Sequence, residues 1–464
     1  MKIIDKLEIM DENHNLIKKE RPSLGQIILF SLGQMGYSLA SFSAINLLVF
    51  FYMPPETGGE SIFPQYIYTG TVFGVLTLLG VLNFGSRIFD AITDPMIAFW
   101  SDKSDFKLGK RKTMLLIASI PFAVLSFLVF YPISESNNVN GYWLGICLFT
   151  LYLFMTMYTV PYNALISELG HHKADRLRIS TAISLTWALG FVIGNLAYSL
   201  PYVFVSSYGY TETEAFQLVI LIFAVFSLLC LLSPVFFLNE NKYAVQNSNE
   251  TNWRISLKMV MRDKNFRIFY LADTIFWFSL NIIQIGIAYY VTLVFEMDKS
   301  MATTFMMIAF FSSLALYYPI GKLAKRFGKK KVILSSLICF AITFLMLFAV
   351  DYLPNISGIL FYVLAIGAAF PLGVMGILPN ALIADIIHDS TDANEHALSG
   401  MYYAIRNMMT KFGVSFANLV FPSLLLLGKS IDNPWGVKLS ALVAMVFCLV
   451  GWIVLKNFKE PVKA

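Results

Sequence analysis

Charged residues are scarce in this sequence. Asp, Glu, Lys and Arg make up 14% of its 464 residues, whereas hydrophobic residues make up 57%. Soluble globular chains are about one quarter charged, so much of this chain must face lipid or a core that lies within lipid. The formal net charge of +5 is too small to indicate a protein that binds nucleic acid.

Cysteines and catalytic motifs are scarce as well. The four cysteines (Cys147, Cys230, Cys339 and Cys448) lie in apolar runs without CxxC spacing, which argues against disulfides and zinc sites. The sequence contains no P-loop, no GxSxG and no HExxH motif. We therefore predict that the protein is not an enzyme, needs no cofactor and does not use ATP.

Long apolar runs, in contrast, are abundant. A helix needs about 20 apolar residues to cross the hydrocarbon core of a bilayer, and runs of this length recur twelve times. The predicted spans are residues 24–53, 70–101, 113–131, 142–168, 179–203, 215–237, 266–296, 300–322, 331–350, 355–384, 398–427 and 435–456. Long alternating strand patterns do not occur, so we predict an all-α membrane protein with twelve transmembrane helices rather than a barrel.

The positions of the basic residues support this number of spans. Of the 34 lysines and arginines, 28 lie in the terminal segments and in every second loop, and only Lys299, Lys429 and Lys438 lie in the other loops. Cytoplasmic loops are rich in Lys and Arg. We therefore predict that both termini are cytoplasmic and that the protein lies in the lipid bilayer of the inner (cytoplasmic) membrane or plasma membrane.

The longest loop divides the chain into two halves. We predict six-helix bundles at 1–237 and 266–464, joined by a cytoplasmic linker at 238–265, in a monomeric protein. Each half has a basic loop between its second and third spans, DKSDFKLGKRK in the first and GKLAKRFGKKK in the second. Matching loops indicate an internal repeat, which usually places a substrate site between the halves. Alternatively, both loops are only topology signals.

The second predicted span contains three charged residues. Charges at membrane depth are costly and are therefore candidates for function. Arg87, Asp90 and Asp94 are spaced i, i+3 and i+7, which places them on one helical face. Two carboxylates one turn apart can share a Na⁺ ion or a proton. The alternative is a structural ion pair between Arg87 and an aspartate.

The eleventh predicted span contains two basic residues. Arg406 and Lys411 are about 140° apart on a helical wheel, so they cannot share a narrow face. Lys411 lies in the middle of the span, and Asp90 or Asp94 are its natural partners. Arg406 is suited to an anionic group of a substrate, because guanidinium binds carboxylate, sulfate and phosphate. A second structural ion pair is an equal alternative for Arg406.

Weaker candidates lie elsewhere in the spans. Trp187, Tyr162 and Tyr403 lie on helices that could line a cavity, although aromatic residues at helical spacing more often serve packing. Asp273, close to the start of the seventh predicted span, is expected to be an interfacial or capping charge.

Several motifs resemble one known family. RIFDAITDP followed by LGKRK, together with YYAIRNMMTKFG, ALIADIIHD and NIIQIGIAYYV, is similar to motifs of the glycoside–pentoside–hexuronide:cation symporters. These form the melibiose-permease branch of the major facilitator superfamily. The resemblance runs over nearly the whole chain and implies two six-helix bundles that alternate access to a central cavity.

The resemblance also implies roles for individual residues. Asp90 and Asp94 match the aspartates that hold the coupling cation in the melibiose permease, and Lys411 matches a lysine that interacts with them. Thr159 stands where that permease has a third carboxylate, which favours weaker Na⁺ binding or coupling to H⁺. Ser38 and Ile183 stand where a sugar-binding aspartate and arginine would be, so the galactoside pocket is not reproduced.

These observations predict a Na⁺- or H⁺-coupled symporter for a small solute. The cation would bind Asp90 and Asp94, with Thr159 and Asn407 adding neutral oxygens. Lys411 and Arg87 would couple cation to substrate, and Arg406 would contact a glycoside, pentoside or hexuronide. The stretch VPYNAL also resembles animal lysophosphatidylcholine symporters, so a lysophospholipid or lipid-like substrate is the alternative.

Overall fold

The structure is a computed structural model in which long α-helices dominate. It describes residues 6–10, 16–20, 22–72, 74–104, 108–170, 173–243, 253–389 and 395–460.

The described chain contains 17 α-helices, several of which follow one another within one span. Their bounds are α1 Leu24–Phe42, α2 Leu48–Tyr52, α3 Leu78–Lys103, α4 Lys110–Leu128, α5 Asn137–Leu169, α6 Lys173–Asn195, α7 Leu200–Tyr208, α8 Glu212–Phe237, α9 Glu240–Tyr243, α10 Trp253–Arg262, α11 Lys264–Tyr289, α12 Met301–Ala315, α13 Tyr317–Phe327, α14 Lys329–Ala349, α15 Ser357–Asp389, α16 Glu395–Leu425 and α17 Trp435–Lys456. Two π-helical segments, Ser43–Leu47 and Tyr290–Val294, follow α1 and α11.

The described strands form three short antiparallel hairpins. Their bounds are β1 Lys6–Met10 with β2 Leu16–Glu20, β3 Glu56–Thr57 with β4 Glu60–Ser61, and β5 Thr71–Val72 with β6 Leu76–Thr77. The third hairpin lies inside the second predicted span. The start of that span at residue 70 was wrong, because the helix begins at Leu78 and the preceding backbone pairs as strands.

The twelve predicted spans correspond to helices in the described chain. Ten helical segments are long and apolar enough to cross a membrane, and the pair α12–α13, bent by 51°, makes an eleventh. The remaining long helix, α3, has 26 residues and carries the charges that sequence analysis singled out. The prediction of an all-α, twelve-helix fold is confirmed, and the cytoplasmic location of the termini stays a prediction.

The described residues group into two compact units. Unit 1 comprises those within 1–48 and 88–248, and unit 2 those within 49–87 and 249–464. In unit 1, α1 packs against α6 and α8, and α4 packs against α5 and α8. In unit 2, α11 packs against α16 and α17, and α14 packs against α15 and α17. The predicted bundle boundaries stay a prediction, and residues 244–252 of the predicted linker lie outside the described chain.

The basic loop of unit 1 is followed by α4, and a carboxylate caps the N-terminus of this helix. Gly109 precedes α4 with φ 107° and ψ 145°. Glu240 lies over this helix start, where its Oε2 accepts hydrogen bonds from the backbone N–H groups of Arg111 (3.1 Å) and Lys112 (2.9 Å). The first N–H groups of a helix have no partner within the helix, and a carboxylate satisfies both their hydrogen bonds and their partial charge. The Arg111 side chain also pairs with Glu168 at 2.9 Å.

The basic loop of unit 2 has the same local structure. Gly328 precedes α14 with φ 90° and ψ 150°. Glu460 Oε1 accepts a hydrogen bond from the backbone N–H of Lys329 at 2.6 Å, and the Lys329 side chain pairs with Asp385 at 2.5 Å. The likeness therefore extends from the glycine–basic sequence to the capping carboxylate and the ion pair, which supports the predicted internal repeat.

Replacing either glycine with alanine is expected to destabilise the protein. Each has a backbone conformation that L-residues rarely adopt, and an added Cβ would overlap Glu240 Oε2 at Gly109 and would lie 2.6 Å from Glu460 Oε2 at Gly328. We expect the free energy of unfolding to fall by about 1–3 kcal/mol in each variant, measured by thermal unfolding in detergent. Gly321→Ala is the control, because nothing lies within 4 Å of its added Cβ. Equal stability of all three variants would contradict this account.

Candidate functional site

Helix α3 presents the three predicted charges in one continuous helix. Arg87 and Asp90 are buried, with exposed fractions of 6% and 0%, whereas Asp94 is half-buried. Pro95 lies within the helix, which continues to Lys103. The predicted spacing on one face therefore holds, and the buried carboxylate is Asp90.

Asp90 contacts a hydroxyl on the fourth span. The Thr156 side chain on α5 donates a hydrogen bond to Asp90 Oδ1, and Thr156 is 1% exposed. The hydroxyl of Thr159 instead donates to the Met155 carbonyl of its own helix, at 2.7 Å. Sequence analysis chose Thr159 and missed Thr156, although the two lie three residues apart and hence on one face of α5.

This part of unit 1 offers oxygen ligands of two kinds. Asp90 brings a carboxylate and Thr156 a hydroxyl, and Asp94 follows Asp90 by one helical turn. Hard cations such as Na⁺ bind oxygen ligands of these types, and a buried carboxylate can equally hold a proton. Clusters of three or more His, Cys, Asp or Glu side chains that could hold a metal ion are absent from the described residues.

The second group of charges lies in unit 2 and is an ion pair. Arg406 Nε donates to Asp273 Oδ2 at 2.8 Å, and Arg406 Nη2 donates to Asp273 Oδ1 at 3.4 Å. Arg406 Nη1 donates to Asn380 Oδ1 at 2.7 Å. The pair joins α11, α15 and α16, so of the two interpretations of Arg406 the structure has the ion pair.

The expected role of Asp273 was wrong. Its side chain is 2% exposed and bonded to Arg406 rather than interfacial. The residue that caps α11 is Asp263, whose Oδ1 accepts hydrogen bonds from the backbone N–H groups of Asn265 (2.8 Å) and Phe266 (3.0 Å). Asp273 lies nine residues after the helix start, about 14 Å along the axis, which places it well inside the span.

Helix α16 exposes a polar stripe next to Arg406. Tyr403 is 36% exposed, Asn407 is exposed and Lys411 is half-buried. These residues are four apart and therefore share one face. Because Asn and Lys are costly against lipid, this face is suited to an aqueous surface.

The two aromatic candidates of unit 1 differ in accessibility. Tyr162 is fully buried, donates to the Phe30 carbonyl at 2.9 Å and stacks on the Phe30 ring with 4.5 Å between centroids. The structure therefore places Tyr162 in the packing between α5 and α1 and not on a surface that a substrate could reach. Trp187 is 39% exposed and stacks on Phe191 with 5.6 Å between centroids.

A chain of amide side chains crosses unit 2. Asn83 on α3 donates to Asn418 on α16 at 2.9 Å, and Asn418 donates to Asn281 on α11 at 3.0 Å. All three are at most 3% exposed. Such hydrogen bonds hold transmembrane helices together. This amide chain was not found by sequence analysis, because neutral Asn residues are less conspicuous in apolar runs than charges.

Most of the chain matches one protein family. Residues 29–455 match the family described as MFS/sugar transport protein. The chain belongs to this family. The predicted resemblance to sugar:cation symporters of the major facilitator superfamily is thereby confirmed, together with the assignment of the protein as a multi-pass membrane transporter.

Relatives of the chain include proteins named as symporters and a protein named as a sugar transporter. The chain is 25% identical over 444 residues to the uncharacterized symporter YnaJ of Bacillus subtilis, covering 92% of this chain and 90% of the relative. It is 22% identical to the isoprimeverose transporter of Lactiplantibacillus pentosus, covering 80% and 77%. It is also 22% identical to sodium-dependent lysophosphatidylcholine symporter 1 of Xenopus tropicalis, covering 72% and 70%.

Solved structures agree with the fold of the family. The nucleoside transporter NupG has a TM-score of 0.66 at 14% identity, covering 94% of this chain and 99% of that one. The D-xylose–proton symporter has a TM-score of 0.63 at 15% identity, covering 94% and 98%. At this level of identity the likeness is one of fold.

Proposed function

We propose that the protein is a cation:solute symporter in which Asp90 is the central ligand of the coupling Na⁺ or H⁺. The observation that carries the proposal is the hydrogen bond from Thr156 to the fully buried Asp90. A carboxylate at membrane depth is energetically costly and is therefore a candidate for function. The hydroxyl of Thr156 beside it provides an oxygen that a Na⁺ ion can also bind. Asp94 supplies the second carboxylate and Thr159 the next hydroxyl on the same face of α5.

The coupling follows from charge. In this proposal Lys411 and Arg87 balance the aspartates when the cation is absent, and cation binding releases Lys411. Cation and substrate then favour the same state, and each raises the affinity of the other by the same factor. Asn407 adds a neutral oxygen from the exposed face of α16, and Tyr403 and Trp187 offer accessible aromatic surfaces for a substrate.

We propose a glycoside, pentoside or hexuronide as the solute. The isoprimeverose transporter, a sugar carrier by name, supports this class. The second candidate is a lysophospholipid, which is supported by the lysophosphatidylcholine symporters among the relatives. The proposed setting is the inner membrane, with both termini cytoplasmic and the protein monomeric.

The two solute classes can be separated with purified protein. Thermal unfolding is measured with methyl β-D-glucoside, methyl β-D-xyloside, methyl β-D-glucuronide and lysophosphatidylcholine, each with and without Na⁺ at several pH values. A ligand that binds only the folded state raises its stability, so we expect a sugar to raise the melting temperature further when the coupling cation is present. The ligand that does so is then tested for uptake into proteoliposomes under a Na⁺ or H⁺ gradient.

Two results would contradict the proposal. A shift with lysophosphatidylcholine alone would replace the sugar class by the lipid class. Uptake that ignores both gradients would exclude symport and leave facilitated movement down the solute gradient. KCl at equal ionic strength serves as the control for NaCl, because both salts screen charges to the same extent. An effect seen only with NaCl therefore reports Na⁺ binding at the site.

A further inference from the structure

The pair of Arg406 and Asp273 connects a buried carboxylate to an accessible surface. Asp273 is 2% exposed at its side chain, whereas Asn380, at the other end of the guanidinium, is exposed. The Arg406 side chain is 10% exposed, more than that of Asp273. A group that reaches this face of unit 2 therefore meets the guanidinium before it meets the carboxylate.

The guanidinium of Arg406 uses three of its five N–H groups for hydrogen bonds within the described chain. Arginine carries five N–H groups, and its contacts in the described chain are two to Asp273 and one to Asn380. One N–H on each terminal nitrogen is left for another acceptor. The fork of Nε and Nη2 that Asp273 now occupies matches the two oxygens of any carboxylate, so a substrate carboxylate competes with Asp273 for it. Asn380 is neutral, and its hydrogen bond can hold the guanidinium in place when the hydrogen bonds to Asp273 are broken.

The surroundings of Asp273 determine what happens if it loses Arg406. Asp273 lines a small cavity whose other residues are apolar: Phe269, Ala272, Ile333, Leu337, Met375 and Leu455. Among the described residues of α14, α15, α16 and α17, the charged group that faces Asp273 is Arg406. An ionised carboxylate without a partner in such surroundings is strongly disfavoured and binds a proton instead.

From this geometry we propose that Arg406 binds the carboxylate of an anionic sugar, a hexuronide, by exchange with Asp273, and that Asp273 takes up a proton in the same step. The inference rests on the proposed symport and narrows its solute to the anionic members of the class. It also assigns the substrate-linked proton to unit 2, separate from the cation at Asp90.

The exchange balances in charge and in protons. Before binding, Arg406 is paired with the Asp273 carboxylate. After binding, Arg406 is paired with the substrate carboxylate, and Asp273 is neutral and carries one proton from the solution. Release of the substrate returns Arg406 to Asp273, which gives up its proton. One proton therefore accompanies each anionic substrate, and the buried charge of unit 2 stays constant throughout.

Two sugars that differ only in the carboxylate test this inference. Methyl β-D-glucuronide and methyl β-D-glucoside are added to the purified full-length protein in weakly buffered detergent with a pH indicator. We expect uptake of about one proton per bound glucuronide and none with glucoside. The glucuronide affinity should rise about tenfold for each unit of falling pH, since one proton is linked to binding.

Variants locate the proton. Asp273→Asn should bind glucuronide without proton uptake and without pH dependence, because the amide resembles the protonated carboxyl. Arg406→Gln should weaken glucuronide binding by at least about 30-fold. The exposed Asp298, in the loop before α12, provides the matched control Asp298→Asn, which should behave as wild type. If the buried variants fail to fold, the wild-type comparison of the two sugars still tests the proton linkage, because glucuronide binding without proton uptake would overturn the inference.

The outcomes separate this inference from the proposed symport. Proton uptake that persists in Asp273→Asn and disappears in Asp90→Asn would overturn the inference and place the proton at the cation site. Equal binding of both sugars without proton uptake would make the pair of Arg406 and Asp273 a fixed structural contact, while gradient-driven uptake of glucoside would leave the symport intact. Loss of gradient dependence for both sugars would overturn the symport itself.

Discussion

Asp90→Asn is expected to lower cation-driven uptake by about 100-fold. The substitution keeps the shape of the side chain and the hydrogen bond from Thr156 but removes the negative charge from a fully buried position. Losing one partner of a buried charge interaction costs about 2–5 kcal/mol, and about 3 kcal/mol corresponds to a factor of roughly 100. The measurement is initial uptake into proteoliposomes under a Na⁺ or H⁺ gradient, with the sugar found by thermal unfolding.

The two threonines of α5 provide a graded comparison. Thr156→Val removes the hydroxyl oxygen proposed as a Na⁺ ligand beside Asp90 and should lower the Na⁺ affinity by about tenfold, since one polar contact to a charged group contributes about 1.5 kcal/mol. Thr159→Val removes a hydroxyl that bonds to its own helix and should have a smaller effect. If Thr159→Val is the more damaging variant, the side chains rearrange when the cation binds. Intact cation-driven uptake in Asp90→Asn would exclude Asp90 as the ligand.

Removing one member of the pair of Arg406 and Asp273 is expected to destabilise the protein strongly. Both side chains are at least nine-tenths buried, so Arg406→Gln leaves a buried carboxylate and Asp273→Asn leaves a buried guanidinium. Breaking a buried pair in this way costs about 3–5 kcal/mol of unfolding free energy. The double variant Asp273→Asn/Arg406→Gln should recover most of it, because two neutral amides can bond to each other. Equilibrium unfolding in detergent measures all three.

An accessible ion pair in the same unit is the control. Lys429 pairs with Glu56 at 2.6 Å, but their side chains are 21% and 39% exposed. Surface pairs contribute about 0–1 kcal/mol, so Lys429→Gln should change stability little.

Methyl β-D-glucuronide should restore part of the stability of Asp273→Asn if its carboxylate takes the place of the missing charge. A small loss in Arg406→Gln would mean that water reaches the pair.

The spans could be predicted because lipid imposes a length and an apolar composition on each helix. Most predicted bounds agree with the structure within a few residues, but the second span was predicted to start at residue 70 and its helix begins at Leu78. There the run from residue 70 is as apolar as a helix, yet Thr71–Val72 pairs with Leu76–Thr77. Apolar composition does not distinguish a short hairpin from a helical turn, because both satisfy the backbone hydrogen bonds.

The candidate site could be predicted only in part. Charged residues are conspicuous within apolar runs, so sequence analysis identified Asp90 and Arg406. Two of their partners were not found, because Thr156 and Asn380 are neutral and less conspicuous in apolar runs than charges. Asp273 was assigned to the interface from its distance to the predicted helix end, and only the packing of α11 against α16 reveals that it faces Arg406.

The amide chain from Asn83 through Asn418 to Asn281 has a consequence for the energised membrane. A membrane potential of 100 mV changes the free energy of an elementary charge that crosses the membrane by about 2.3 kcal/mol. Cations and ionised side chains therefore respond to the potential. Neutral amides carry no net charge, and their hydrogen bonds are the same at any voltage, pH or Na⁺ concentration. The contact between α3, α11 and α16 therefore keeps its strength while the electrical driving force rises and falls.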